Sequence, residues 1–142
     1  MVILLDTNVV ISALLSPPGP AAEIMARWEK GEFDVVVSTN LLDELERALQ
    51  YPKVAKYLKL SPEEISTFRR RYAETAVLVS PEVRLEVIGD DPEDNRGLEC
   101  AVTGRASFII SGDKHLLELK EYQGIVVLSP SAFLAFLDSG KG

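Results

Sequence analysis

Four groups of acidic residues stand where chemistry is possible. Asp6-Thr7-Asn8 follows the apolar run Val2–Leu5, and Ser38-Thr39-Asn40 follows Asp34–Val37 and leads into Asp43, Glu44 and Glu46. Asp91 and Asp94 open a helical stretch, and Ser111-Gly112-Asp113 follows Ser107–Ile110. With one histidine, His115, and one cysteine, Cys100, in 142 residues, oxygen donors are the only ligands present in number. Carboxylates that converge repel one another unless protons or cations lie between them. Hard divalent cations such as Mg²⁺ or Mn²⁺ are the natural partners of oxygen-only sites. A zinc site built on several thiolates and an internal disulfide framework are excluded by the single cysteine. Cys100 shows no partner histidine or base that would make it a nucleophile, and His115 reads as a surface helix residue rather than a general base.

Helical geometry separates some of these acids and not others. At about 100° per residue, Asp94 lies about 40° to one side of Leu98, inside the apolar stripe carrying Ala101 and Val102. Asp91, which precedes Pro92, reads instead as a helix cap. On the stretch from Leu41 to Leu49, Glu44 and Glu46 flank the apolar arc on opposite sides by about 40° each, and Asp43 points away. Geometry alone therefore leaves Glu44 and Glu46 open. Asp6 and Asp113 each carry a second reading as helix caps.

Strand-like and helix-like segments alternate along the chain, the pattern of a parallel α/β sheet. Val2–Leu5, Asp34–Val37, Ser107–Ile110 and Gly124–Leu128 read as strands buried on both faces, with Ala76–Val79 weaker and Leu85–Val87 a possible partner near it. Pro20 opens a helix over Ala21–Trp28, and Thr39 or Asn40 caps one over Leu41–Leu49. Ser61-Pro62-Glu63-Glu64 is a capping box that starts a long helix to Thr75. Gly104 stops the Asp94 helix, Asp113 or Ser111 caps Lys114–Leu119, and Ser129-Pro130 starts a last helix through Leu137. The Ser16–Pro20 stretch reads as a rigid loop, and 139–142 as a frayed tail.

The net charge is −7, from 22 acids and 15 bases. That balance argues against broad nucleic-acid binding through Lys and Arg alone, but not against an approach to phosphate through bound cations. The dense basic run is Arg69-Arg70-Arg71, with Lys53, Lys56 and Lys59 upstream; it reads first as a solvated helix face, and otherwise as a phosphate-contacting rim with Arg27 and Lys114. No apolar run approaches the ~20 residues a membrane span needs, and the short Val2–Leu5 run, without a basic flank and ended by Asp6, is not expected to act as a signal peptide. A reducing, cytoplasmic setting is expected from the lone thiol.

Taken in order, Ile3-Leu4-Leu5-Asp6-Thr7-Asn8, Ser38 with Leu42-Asp43-Glu44-Leu45, Asp91-Pro92-Glu93-Asp94-Asn95, Ile109-Ile110-Ser111-Gly112-Asp113 and Leu128-Ser129-Pro130 with Phe133-Leu134 resemble the PIN-domain family over essentially the whole chain. The nearest branch is that of VapC-like toxins of toxin–antitoxin systems. The resemblance implies a three-layer α/β/α sandwich around a parallel sheet of about five strands, over residues 1–138. It also implies a metal-dependent endoribonuclease leaving a 5′-phosphate and a 3′-hydroxyl. The family's acidic quartet falls on Asp6, Glu44, Asp94 and Asp113, which would hold Mg²⁺ or Mn²⁺, and so selects Glu44 over Glu46. Its hydroxyl near the last acid falls on Ser111 and its polar residue after the first acid on Asn8. Gly97 departs from the pattern by placing a weak helix former inside the Asp94 helix. An RNA substrate, an antitoxin partner and a homodimer are further implications.

Two other readings use the same residues. One is an inactive PIN-like module that binds a partner, against which the retention of four mutually repelling acids counts. The other is a metal-dependent phosphatase; its haloacid-dehalogenase-like form wants a second acid two residues after the first, where Asn8 stands. A dinucleotide-binding oxidoreductase is disfavoured because no G-x-G-x-x-G follows the first strand.

Overall fold

The computed structural model describes residues 1–88 and 92–140, with side chains at all of these except 92–94 and 140. Six strands form one sheet in the order β3-β2-β1-β4-β6-β5. They are β1 (Val2–Leu5), β2 (Asp34–Ser38), β3 (Val77–Val79), β4 (Phe108–Ile110), β5 (Glu121–Tyr122) and β6 (Ile125–Leu128). The first four and β6 run parallel, and the two-residue β5 pairs antiparallel with β6. The helices are α1 (Thr7–Leu15), α2 (Pro20–Glu29), α3 (Thr39–Leu49), α4 (Pro52–Leu58), α5 (Pro62–Thr75), α6 (Pro92–Thr103), α7 (Lys114–Leu119) and α8 (Pro130–Gly140). The result is a three-layer α/β/α sandwich.

The continuous apolar strands are explained by burial on both faces. Ile3, Leu4, Leu5, Val35, Val36, Val37, Ile109 and Ile110 are all buried, which a strand open to water on one face would not tolerate. Helix α6 lies against β1, β2 and β4, while α1, α2, α3, α5 and α8 pack on one another in a chain. Phe133 of α8 is fully buried and meets Phe33 and Phe108 edge-on or tilted, at centroid distances of 5.4 and 5.7 Å. Among the described residues, no single helix is long and apolar enough to cross a membrane.

Several local expectations change. The cap of α3 is Ser38, not Thr39 or Asn40; its Oγ accepts from Leu41 N at 3.3 Å. Residues 85–87 form no strand; instead Leu85 and Ile88 are held to α6 by side chains. At the end of α6 the left-handed residue is Arg105, at φ 57°, not Gly104. Ala106 N reaches back to Ala101 O at 2.9 Å, the long bond of a Schellman turn. Gly104 is required for another reason: a Cβ there would stand 2.3 Å from Cγ2 of Val36 in β2. The last helix continues through Gly140, beyond the expected fraying point. The capping box at Ser61 and Glu64 forms as expected, with both reciprocal bonds present.

Candidate metal centre

Strand register aligns one row of residues at the carboxyl edge of the sheet. Leu5 pairs with Ile110 and Ile110 with Leu128, so Asp6, Ser111 and Ser129 come next in line. Two backbone bonds carry the ladder past the strand ends: Asp6 N to Ile110 O and Ser111 N to Leu128 O, both 3.0 Å. On the other side Leu4 pairs with Val36, which brings Ser38 level with Asp6. Open parallel sheets bind ligands at this edge.

Asp6 occupies the N-cap position of α1, yet its side chain makes no capping bond. Instead Asp6 Oδ2 accepts from Ser111 Oγ at 2.7 Å. Ser111 is completely buried and its Oγ also accepts from Asp113 N at 2.9 Å. One hydroxyl thus joins the turn after β4 to the acid after β1. Asp113 behaves as a cap: its Oδ1 accepts from His115 N at 2.7 Å and Leu116 N at 3.2 Å.

Helix α3 sends its acids in two directions. Glu44 Oε1 accepts from the buried Thr7 Oγ1 at 3.0 Å, next in the chain to Asp6. Asp43 and Glu46 both take Arg69 of α5, each at 2.7 Å. Packing of α3 between α1 and α5 therefore separates the two glutamates that helical geometry left equivalent. It also accounts for Arg69, whose guanidinium is occupied by these two acids rather than by Glu63, Glu64 or Glu74. Arg27 is likewise paired, with Glu32 at 2.9 Å and Asp138 at 2.8 Å.

Asn8 is exposed in the first turn of α1, and its amide has no hydrogen-bond partner among the described residues. Asp94 lies in the first turn of α6, but its side chain is outside the described residues, as is Asp91 entirely. His115 is exposed on α7. Cys100 is buried, and burial pushes its thiol up to about 12, against an opposing hydrogen bond with Ser38. A thiol so protonated is no nucleophile. Burial also raises the Tyr72 hydroxyl, which sits in an edge-on contact with Trp28 at 5.1 Å.

Beside Glu44 opens a cleft of about 240 Å³, lined by Asn40, Asp43, Glu44, Arg47, Arg84 and Arg96. Its wall is built by a clamp that sequence reasoning missed. Glu99 is buried and takes Arg96 through two bonds of 2.8 and 2.7 Å, while also accepting from Leu85 N at 2.7 Å. Burial pushes this carboxyl up, but Arg96, the Leu85 N–H and the charge of Arg84 outweigh it and hold it below the ordinary range. Asn95, also buried, binds Ile88 at both N–H and C=O, at 2.9 and 2.6 Å. The available signal was a charged residue and an amide near the apolar stripe of Leu98, Ala101 and Val102 on α6.

Among the described residues no three His, Cys, Asp or Glu side chains lie close enough to cage one ion. The donors nonetheless suit Mg²⁺ or Mn²⁺. They are carboxylate oxygens, each with one oxygen fixed by a hydroxyl, and Mg²⁺ usually keeps several waters and takes only one or two carboxylates.

Residues 2–115 match the family model described as the PIN domain. The chain is 29% identical over 119 residues to an uncharacterised protein of Methanocaldococcus jannaschii, covering 84% of this chain and 75% of that one. Its fold resembles VapBC2 from Rickettsia felis bound to a DNA fragment from their promoter, at TM-score 0.59 and 15% identity over 89% of this chain and 97% of that one. It also resembles the T. brucei RRP44 PIN domain, at TM-score 0.52 and 12% identity over 99% of this chain and 82% of that domain.

Proposed function

Because this chain belongs to the PIN-domain family, we propose that it is a divalent-metal-dependent endoribonuclease, acting as the toxin of a toxin–antitoxin pair. The observation that carries this reading is the pair of carboxylates at the sheet edge, Asp6 and Glu44, each held by a buried hydroxyl-bearing residue. Asp6, Glu44, Asp94 and Asp113 would hold Mg²⁺ or Mn²⁺. When bound, the ion supplies charge neutralisation, polarisation of a phosphoryl oxygen and acidification of water.

The chain's own residues set the stage for hydrolysis of the P–O3′ bond, which adds water to give a 5′-phosphate and a 3′-hydroxyl. Ser111 Oγ–H and Thr7 Oγ1–H fix the rotamers of Asp6 and Glu44 and reduce the repulsion between them. Asp113, fastened by its capping bonds, orients the turn that carries Ser111. Asn8, exposed in the first turn of α1, offers an amide to the substrate's phosphate or sugar. Without a cation this acidic edge repels RNA, so engagement there depends on metal. An antitoxin protein covering the edge, a homodimer and a cytoplasmic setting belong to the same proposal.

The test is cleavage of a mixed panel of structured and single-stranded RNAs in Mg²⁺, Mn²⁺ or EDTA by wild type, Asp94→Asn and Asp6→Asn. Metal-dependent cleavage that falls more than about 100-fold in either variant is expected, since even residues that only support ligands are worth about 10–100-fold. In parallel, Mn²⁺ at about 100 times its dissociation constant should stabilise the wild type by about 2.7 kcal/mol in thermal unfolding, and Asp6→Asn much less. Cleavage that survives both substitutions, or a folded wild type that neither cleaves nor responds to Mn²⁺, sinks the reading in favour of a partner-binding module.

A further inference from the structure

We propose that the cleft between α3 and the 84–88 stretch binds a backbone phosphate of the substrate strand neighbouring the one cut, with Arg84 and Arg96 as its ligands. This deepens the nuclease reading and rests on it. Three arginines line one cleft of about 240 Å³ in a chain whose net charge is −7. Arginine's planar fork suits phosphate oxygens better than a lysine ammonium does. The cleft shares Glu44 with the acidic edge, so a strand crossing that edge continues into it.

The two acids lining the cleft have partners outside it: Asp43 takes Arg69 at 2.7 Å, and Glu44 takes Thr7 at 3.0 Å. Arg96 spends Nε and Nη2 on Glu99 and on Leu85 O, and its Nη1 has no acceptor among the described residues. That nitrogen carries two further N–H donors. Arg84 is exposed, and it forms no ion pair among the described residues. Its position is nonetheless fixed, because the next residue, Leu85, is bonded at N–H by Glu99 and at C=O by Arg96. Asn95 anchors Ile88 three residues on. Residues 84–88 thus have no regular structure of their own, yet they are tied to α6 at four backbone groups. A clamp of that kind on an irregular segment makes sense if it presents a side chain, and Arg84 is the one it delivers to the cleft.

The experiment uses the wild type as the parent, with all four acids in place and Ca²⁺ in place of Mn²⁺, a hard cation of the same oxygen-ligand preference that holds the RNA while leaving it uncut. Binding of a fluorescent single-stranded oligoribonucleotide is followed by anisotropy from 50 to 200 mM salt, with Arg84→Ala and Arg84→Lys added to the parent. Arg84 is chosen over Arg96 because its removal leaves the Glu99 clamp in place. Arg84→Ala should weaken binding about 3–10-fold and reduce the salt slope by about 0.7, the value of one single-strand phosphate contact. Arg84→Lys should keep the slope and recover only part of the affinity. In Mn²⁺, where the wild type cleaves, Arg84→Ala should raise KM and leave kcat nearly unchanged, the mark of uniform binding. Affinity and slope equal to the parent's, or a parent that does not bind RNA at any salt, overturns the proposal. If the wild type cleaves and Arg84→Ala binds as its parent does, the phosphate site falls and the nuclease stands. If nothing cleaves but the slope still drops, the site stands and the nuclease falls.

Discussion

Ser111 serves two neighbours with one hydroxyl, donating to Asp6 and accepting from the Asp113 amide. It is completely buried, so removing the oxygen leaves an amide without its acceptor in a place water reaches poorly. Ser111→Ala should therefore cost about 1–3 kcal/mol of stability and about 10–100-fold of RNA cleavage. Denaturant titration reads the first and initial rates in Mn²⁺ the second. A variant equally stable but far less active would place the loss in the orientation of Asp6. Glu44 makes the complementary point about legibility. Its identity as the inward acid was invisible to helical periodicity, because Glu44 and Glu46 flank the apolar arc symmetrically. What separates them is the neighbour on each side, Thr7 for one and Arg69 for the other, and that is information held in packing.

At the level of elements, β1, β2, β4 and β6 were readable because doubly covered strands are runs of branched apolar residues. The helix at Ser61 was readable because its capping box is local. Elements whose causes are remote were not. The Leu-Glu-Val of 85–87 alternates like a strand, but Glu99 and Arg96 from α6 take the backbone groups of Leu85, and Asn95 those of Ile88, instead of a neighbouring strand. Helix α4 is not among the elements the sequence reading identifies, although Pro52 stands in its first turn. Two glycines of α6 and its end make opposite predictions. At Gly97 a Cβ would meet Leu4 Cδ2 at 3.6 Å, an ordinary contact, so Gly97→Ala should stabilise by about 0.5–1 kcal/mol through helix propensity. At Gly104 the same change drives a methyl into Val36 and should destabilise by about 1–3 kcal/mol. Thermal unfolding of the two alanine variants checks the pair, and the same sign in both would refute the packing argument.

Over the whole molecule, the buried Glu99–Arg96 pair makes stability depend on pH in a defined direction. The folded carboxyl lies below the ordinary glutamate value of 4.5, so its contribution is complete above that value. It is lost as pH falls through the lower, folded value. Glu99→Gln should be less stable than wild type at neutral pH, where it strands Arg96, and the difference should shrink as pH falls from 4.5 through the lower, folded value. Urea midpoints at several pH values give the comparison; a gap that stays constant with pH would remove Glu99 from the acid limb.

The central place of β1 has a consequence in time. Its two neighbours in the sheet are β2 and β4, and the Asp6–Ser111 bond closes an interval of 105 residues. A ribosome adding about 5–20 residues per second needs roughly 5–20 s to cross that interval. Through those seconds β1 lacks one of its flanking strands, and Asp6 lacks the hydroxyl that fixes it. Whatever this carboxylate does, a nascent chain does not do it until Ser111 has been made and has reached Asp6.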